Sequence, residues 1–244
     1  MPRFFVPTPQ LSDTEIRILG DDAHHIARSL RMAEGDGVTV CDMHGGEYEC
    51  RLVRIRDEEC ICEILEKHQS TSESPVEITL FMAYPKADKL ETIIQKATEL
   101  GVCHIIPFES SRCIKRPKAD KADRVRQRLS KIAEEAAKQS GRARIPTVSD
   151  PISFSEVLSM AKNYSLPLFC YEGEGTVARP RLLCSYKEGG SIAVVVGCEG
   201  GFSLDEFEKA KLAGFLPTGL GRRILRCETA PLFVLSSISY HFEL

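Results

Sequence analysis

The chain has 244 residues, 43% of them hydrophobic and 27% charged, with a formal net charge of -3. Such a chain can bury one large core or two smaller ones, which excludes disorder. No apolar run is long enough to cross a bilayer, and the start Met1-Pro2-Arg3-Phe4-Phe5-Val6 lacks the apolar core of a signal peptide, so a cytoplasmic protein without membrane contact is expected.

The first predicted element is a helix from Asp22 to Met32 that places His25, Arg28 and Arg31 on one face. A small antiparallel meander follows: Val38 to Cys41, a turn at His44-Gly45-Gly46, Glu47 to Ile55, a turn at Asp57-Glu58-Glu59, and Cys60 to Leu65. These read as short barrel strands. The polar stretch His68 to Pro75 marks a domain boundary, dividing the chain into 1-70 and 71-244.

Beyond it the pattern becomes strand, helix, strand. Ile78 to Tyr84 is an apolar strand, Asp88 to Leu100 a helix closed by Gly101, and Val102 to Phe108 a second strand. A basic helix runs from about Lys121 to Ser140, with Val125, Leu129, Ile132, Ala133 and Ala136 inward and its arginines outside. Pro167 to Tyr171 and Ile192 to Gly197 are further strands, and Ser203 with Glu206 forms a capping box for a helix ending at Gly214. Continuous apolar strands separated by amphipathic helices predict a parallel sheet covered on both faces.

The ten cysteines contain no Cys-x-x-Cys pair and are expected to be reduced, acting as small hydrophobes, with no metal site. The charge is uneven. Residues 112 to 144 carry twelve basic side chains against four acidic, whereas the first 70 carry eight against fourteen. Local cationic density of this kind suits a polyanion, although a solvated helix face gives the same signature.

Two glycine turns dominate the C-terminal third. One runs from Gly197 through Glu199, Gly200 and Gly201 after the apolar run Ile192 to Val196. The other runs from Gly219 through Gly221 and Arg226 to Ala230. Turns at strand ends bare backbone amides where α/β proteins bind small molecules. Neither is a dinucleotide fingerprint, and there is no Walker A lysine.

The chain resembles a known family, the bacterial ribosomal RNA small subunit methyltransferase E group, which methylates N3 of a uridine in 16S rRNA. The likeness rests on Pro2 to Phe5, His24 to Arg31 with Gly35-Asp36, Lys96 to Val102, Glu134 to Arg142 before Pro146, and both glycine turns. It implies an N-terminal PUA-like β-barrel and an α/β SPOUT domain whose parallel sheet carries a deep trefoil knot. It also implies S-adenosylmethionine as cofactor, the small ribosomal subunit as partner, and a homodimer.

By the same likeness, the cofactor site comprises Tyr171, Glu172, Gly197, Glu199, Gly200, Gly201, Leu220, Gly221, Ile224, Leu225 and Arg226. Cys198 stands where relatives usually carry proline. RNA contacts fall to Arg3, His25, Arg28 and Arg31 in the first domain. In the second they fall to Arg112, Lys115, Arg116, Arg124, Gln139 and Arg142.

Uridine N3 is nucleophilic only as its proton leaves, so Glu199 is the candidate base and Arg226 the candidate stabiliser of charge on the uracil oxygens. Arg142 is counted with them at the reacting base. The alternative for Glu199 is that it merely ties down its own loop, and for Arg226 an ion pair with Glu228. A non-catalytic RNA-binding or ribosome-assembly protein on the same fold is the competing reading.

Overall fold

The computed structural model describes residues 1-244 except 87, 115-121, 174-175, 179-182, 185 and 187-188. The expected RNA contacts Lys115 and Arg116 lie outside the described residues. The chain forms two compact units, Met1-Glu73 with Ala137-Ile145, and Ser74-Ala136 with Pro146-Leu244. The division thus falls three residues beyond the expected boundary, and a short later segment joins the first unit.

The first unit is a five-stranded sheet of β1 (Arg3-Phe5), β2 (Glu15-Leu19), β3 (Gly37-Cys41), β4 (Gly46-Ile55) and β5 (Glu59-Gln69). The strand order is β1-β3-β4-β5-β2, with only the β1/β3 pair parallel. Alternation drives it: in β2, Ile16 and Ile18 are buried while Glu15, Arg17 and Leu19 face out. Asp42 closes the β3-β4 turn by accepting from the amides of His44 (2.7 Å) and Gly46 (2.9 Å). Phe4, Ile26, Val40 and Leu52 fill the core with Cys50 and Cys62, and burial pushes both of those thiols up to about 12. They behave as the small hydrophobes expected.

The first helix is shorter than predicted. α1 (Asp21-His24) continues only as a π-helical turn over His25-Ser29, with Leu30 N–H donating to the carbonyl of His25. Arg31 follows at φ 51°, so the expected common face of His25, Arg28 and Arg31 does not form. Residues 137-145 belong here because Ala137, Ala143 and Ile145 pack on Phe5 and Cys41.

The second unit is an eight-stranded parallel sheet. Its strands are β6 (Glu77-Ala83), β7 (His104-Glu109), β8 (Thr147-Val148), β9 (Ile152-Ser153), β10 (Leu166-Cys170), β11 (Val177-Ala178), β12 (Ser191-Val196) and β13 (Leu216-Gly219). The order is β11-β13-β10-β12-β6-β7-β8, with β9 also on β7. Around the sheet lie α2 (Lys89-Glu99), α3 (Ala122-Ser140, which passes to the first unit at Ala137), α4 (Phe154-Met160), α5 (Leu204-Leu212) and α6 (Thr229-Glu243).

The five apolar residues of β12 are buried on both sides, as a central parallel strand requires. Gly101 takes φ 84° after α2, a left-handed cap that costs glycine little. The Ser203/Glu206 capping box forms as expected, and an unpredicted one, Ser153/Glu156, starts α4. Among the described residues no helix is long and apolar enough to cross a membrane.

Candidate active site

The C-terminal ends of β10, β12 and β13 open onto one cavity of about 420 Å³ in the second unit, and both glycine turns line it. Parallel sheets bind ligands at this edge because strand-end loops diverge there and leave amides unpaired. Of the expected cofactor residues, Tyr171, Glu172, Gly197, Glu199, Gly201, Leu220, Gly221, Ile224, Leu225 and Arg226 all face the cavity. Gly200 does not: it lies against Arg112, whose Nη1 donates to its carbonyl at 2.8 Å.

The first turn is built for close approach. A Cβ on Gly197 would come within 3.1 Å of the Gly201 Cα, and Gly201 itself takes φ 60°. Phe202 then anchors the turn in the core, its ring 4.3 Å from that of Phe169 and 6.3 Å from that of Phe108. Three tethers brace it from the segment after β7: the Arg112 bond, the Ser111 amide donating to Glu206 Oε1 at 2.7 Å, and the Ser110 hydroxyl 3.8 Å from the Cys198 sulfur. Cys198 is buried and faces the cavity as well, so its side chain fills the turn.

The electrostatic centre is a side chain that the sequence reading passed over. Lys89, the first residue of α2, puts its ammonium 3.1 Å from Glu199 Oε1 and 3.1 Å from Glu228 Oε2. It also lies 3.7 Å from the Cys227 sulfur. Glu199 further accepts the Lys86 amide at 3.1 Å. Burial pushes the Glu199 carboxyl up, but its own amide, Lys89 and the Lys86 amide outweigh that and hold it below the usual range. Glu228, bonded by its own amide and then by Cys227 and Lys89, is lowered as well.

A carboxylate so held is a poor proton acceptor at neutral pH, and the geometry favours the loop-tying role for Glu199. Glu228 takes Lys89 as its ion-pair partner, which leaves the exposed Arg226 facing the cavity with Arg223. Arg223, missed in the sequence, stands two residues after Gly221, where a basic residue next to a ligand turn was the available signal.

The expected RNA residues scatter. His25, Arg31, Arg124 and Gln139 are exposed. Arg28 is also exposed, though bonded to Asp57 at 2.9 Å, and Arg3 is held by Glu47 and the Cys41 sulfur, each at 2.9 Å. Arg142 is a correction: it is 2% exposed, and its Nη2 donates to Glu73 Oε2 at 2.6 Å within the first unit. A guanidinium closed in this way is part of the unit's interior and presents no phosphate-binding surface. Much of the basic segment is similarly paired, Arg126 with Asp150, Arg128 with Glu91 and Lys138 with Asp22.

A parallel sheet with such a cavity at its strand ends, in a chain that also carries a small β-domain, defines a ligand-binding α/β protein with an appended β-domain. Residues 72-239 match the family model of the RNA methyltransferase domain, and residues 18-65 match that of the RNA methyltransferase PUA domain. The chain is 37% identical over 251 residues to Ribosomal RNA small subunit methyltransferase E of Bacillus subtilis, covering 100% of this chain and 98% of that one. It is 31% identical to the protein of the same name from Synechocystis sp., over 99% of this chain and 78% of that one. The crystal structure of the enzyme of that name from Neisseria gonorrhoeae, bound to S-adenosyl methionine, superposes with a TM-score of 0.86 at 32% identity, covering 98% and 97% of the two chains. The chain belongs to the ribosomal RNA small subunit methyltransferase E family.

Proposed function

We propose that this chain transfers a methyl group from S-adenosylmethionine to N3 of a specific uridine in the 16S rRNA of the small ribosomal subunit, acting in the cytoplasm as a homodimer whose glycine turns form a trefoil knot. The observation that carries the reading is the convergence of both turns on one cavity. The cavity fits the cofactor. Its volume lies in the range of ligand pockets, about 300-1,000 Å³, its glycines admit close backbone approach, and the ionised Glu199 and nearby Glu172 suit a cationic ligand.

Bound there, the cofactor supplies an electrophilic methyl group. The chain's own residues orient the base and govern its charge. Arg226 and Arg223 donate to the uracil oxygens as negative charge grows on them, which makes the N3 proton more acidic. That proton leaves to water, because Glu199 is engaged by Lys86 and Lys89. Alignment of N3 with the methyl group supplies much of the rate. His25, Arg31 and Gln139 in one unit and Arg124 in the other are the exposed RNA contacts.

Incubation with small subunits and isotopically labelled S-adenosylmethionine, followed by mass mapping of the rRNA, tests the reading. One labelled methyl on N3 of a single uridine is expected. Cofactor binding without transfer to any RNA would make the chain the non-catalytic alternative.

A further inference from the structure

Among the described residues, Lys89 pairs with an acid in each wall of the cavity. It starts α2, Glu199 sits in the turn after β12, and Glu228 immediately precedes α6. One nitrogen thus joins three elements far apart in sequence. We propose that Lys89 is a positioning residue that clasps the two glycine turns into a single cofactor wall and keeps both of their carboxylates charged at neutral pH. This rests on the reading of the cavity as the methyl-donor site.

The two bonded oxygens each lie 3.1 Å from the same ammonium, so they are no farther apart than twice that distance. At such a separation two carboxylates resist joint ionisation unless a cation lies between them. The other groups around them do not replace it. The Lys86 amide and the Cys227 thiol, which donates to Glu228 at 3.3 Å, are neutral donors. Arg223, Arg226 and Glu172 line the same cavity, and none of them is within ion-pair distance of Glu199 or Glu228 among the described pairs. Without Lys89, one carboxyl holds its proton to a higher pH than it does in the wild type. The wall then loses a negative charge that faces a cationic ligand.

The test uses the full chain as Lys89→Met, which keeps the stem and removes the charge, and as Lys89→Arg, which restores the charge. Calorimetry with S-adenosylmethionine from pH 6 to pH 8 should show wild type and Lys89→Arg nearly flat. Lys89→Met should bind more weakly than wild type, and its loss should grow as the pH falls towards 6 and one carboxyl takes up its proton. Carbon NMR of the glutamate carboxyls reads the clasp without ligand: one of Glu199 and Glu228 should titrate higher in Lys89→Met than in wild type. If both titrate unchanged in Lys89→Met, the clasp is overturned whatever the cofactor result. If wild type binds no cofactor while the carboxyl shift is present, the methyl-donor reading fails and the clasp stands as the tie between the two turns. Thermal melts of each variant establish that the fold is intact, and Lys89→Gln, which also removes the charge, carries the comparison should Lys89→Met fail to fold.

Discussion

Arg142 offers the sharpest separation of a structural role from a catalytic one. Its guanidinium is closed to solvent and paired with Glu73 Oε2, while Glu73 Oε1 also accepts the amides of Ala143 (2.9 Å) and Arg144 (3.2 Å). The two ends of this pair are therefore unequal. Removing Glu73 takes its carboxylate away from the buried guanidinium and from two amides. A broken buried pair costs about 3-5 kcal/mol, and the amides add about 1 kcal/mol each. Removing Arg142 leaves a carboxylate that keeps two amide donors and 16% side-chain exposure, at a cost of about 1-3 kcal/mol. For a domain of this size each kcal/mol lowers Tm by about 4-8 °C. Glu73→Ala should therefore melt the first unit at least 10 °C early (roughly), and Arg142→Met by a smaller margin. Calorimetric melts, with cofactor affinity and turnover measured well below the transition, check this. An Arg142→Met protein with native Tm and lost turnover would refute the structural assignment and return Arg142 to the reaction.

Three further outcomes follow from the second unit. Gly197→Ala forces its methyl group against the Gly201 backbone, 3.1 Å away. The fold should survive while cofactor affinity falls at least tenfold (roughly 1.4 kcal/mol), and unchanged calorimetric binding would contradict the close-approach argument. The Cys198 thiol is pulled down by the hydrogen bond from Cys113, so it is thiolate at a lower pH than an ordinary cysteine and should alkylate with iodoacetamide already near neutrality, with cofactor protecting it; equal labelling of Cys103 and Cys198 would count against this. Arg124→Ala should lower the salt slope of RNA binding by about one phosphate contact, and a slope identical to wild type would remove Arg124 from the interface.

The strands that the sequence shows most clearly are those with a continuous apolar run. β6, β10 and β12 fall within a residue or so of their predicted bounds because burial on both faces leaves only one composition possible. β13 escapes for the opposite reason. It is four residues long and carries Pro217, yet it is inserted between β10 and β11, a place that only neighbouring strands can dictate. β8 and β9 have two residues each, too few for any periodicity. The short segment that returns to the first unit was equally hidden. Ala137 read as the end of a basic helix and Ala143 as the loop beyond it, and only Phe5 and Cys41, far earlier in the chain, give them a core to join.

The same limit separates the two halves of the site. Glycines announce themselves locally, because a turn that must pass close to another backbone or take positive φ admits little else, and Gly197, Gly201 and Gly221 line the cavity; the other expected cofactor residues come from the family likeness. Charges do not. Twelve basic residues in one segment looked like an RNA face, yet Arg126, Arg128, Lys138 and Arg142 have acids folded against them. Lys89 stands more than a hundred positions from both of the glutamates it joins, in a helix whose apolar face drew the reading. Net charge along a sequence counts ions without their partners. What a cation does here is set by whether the fold brings it to an acid, and at Lys89 the fold brings it to two.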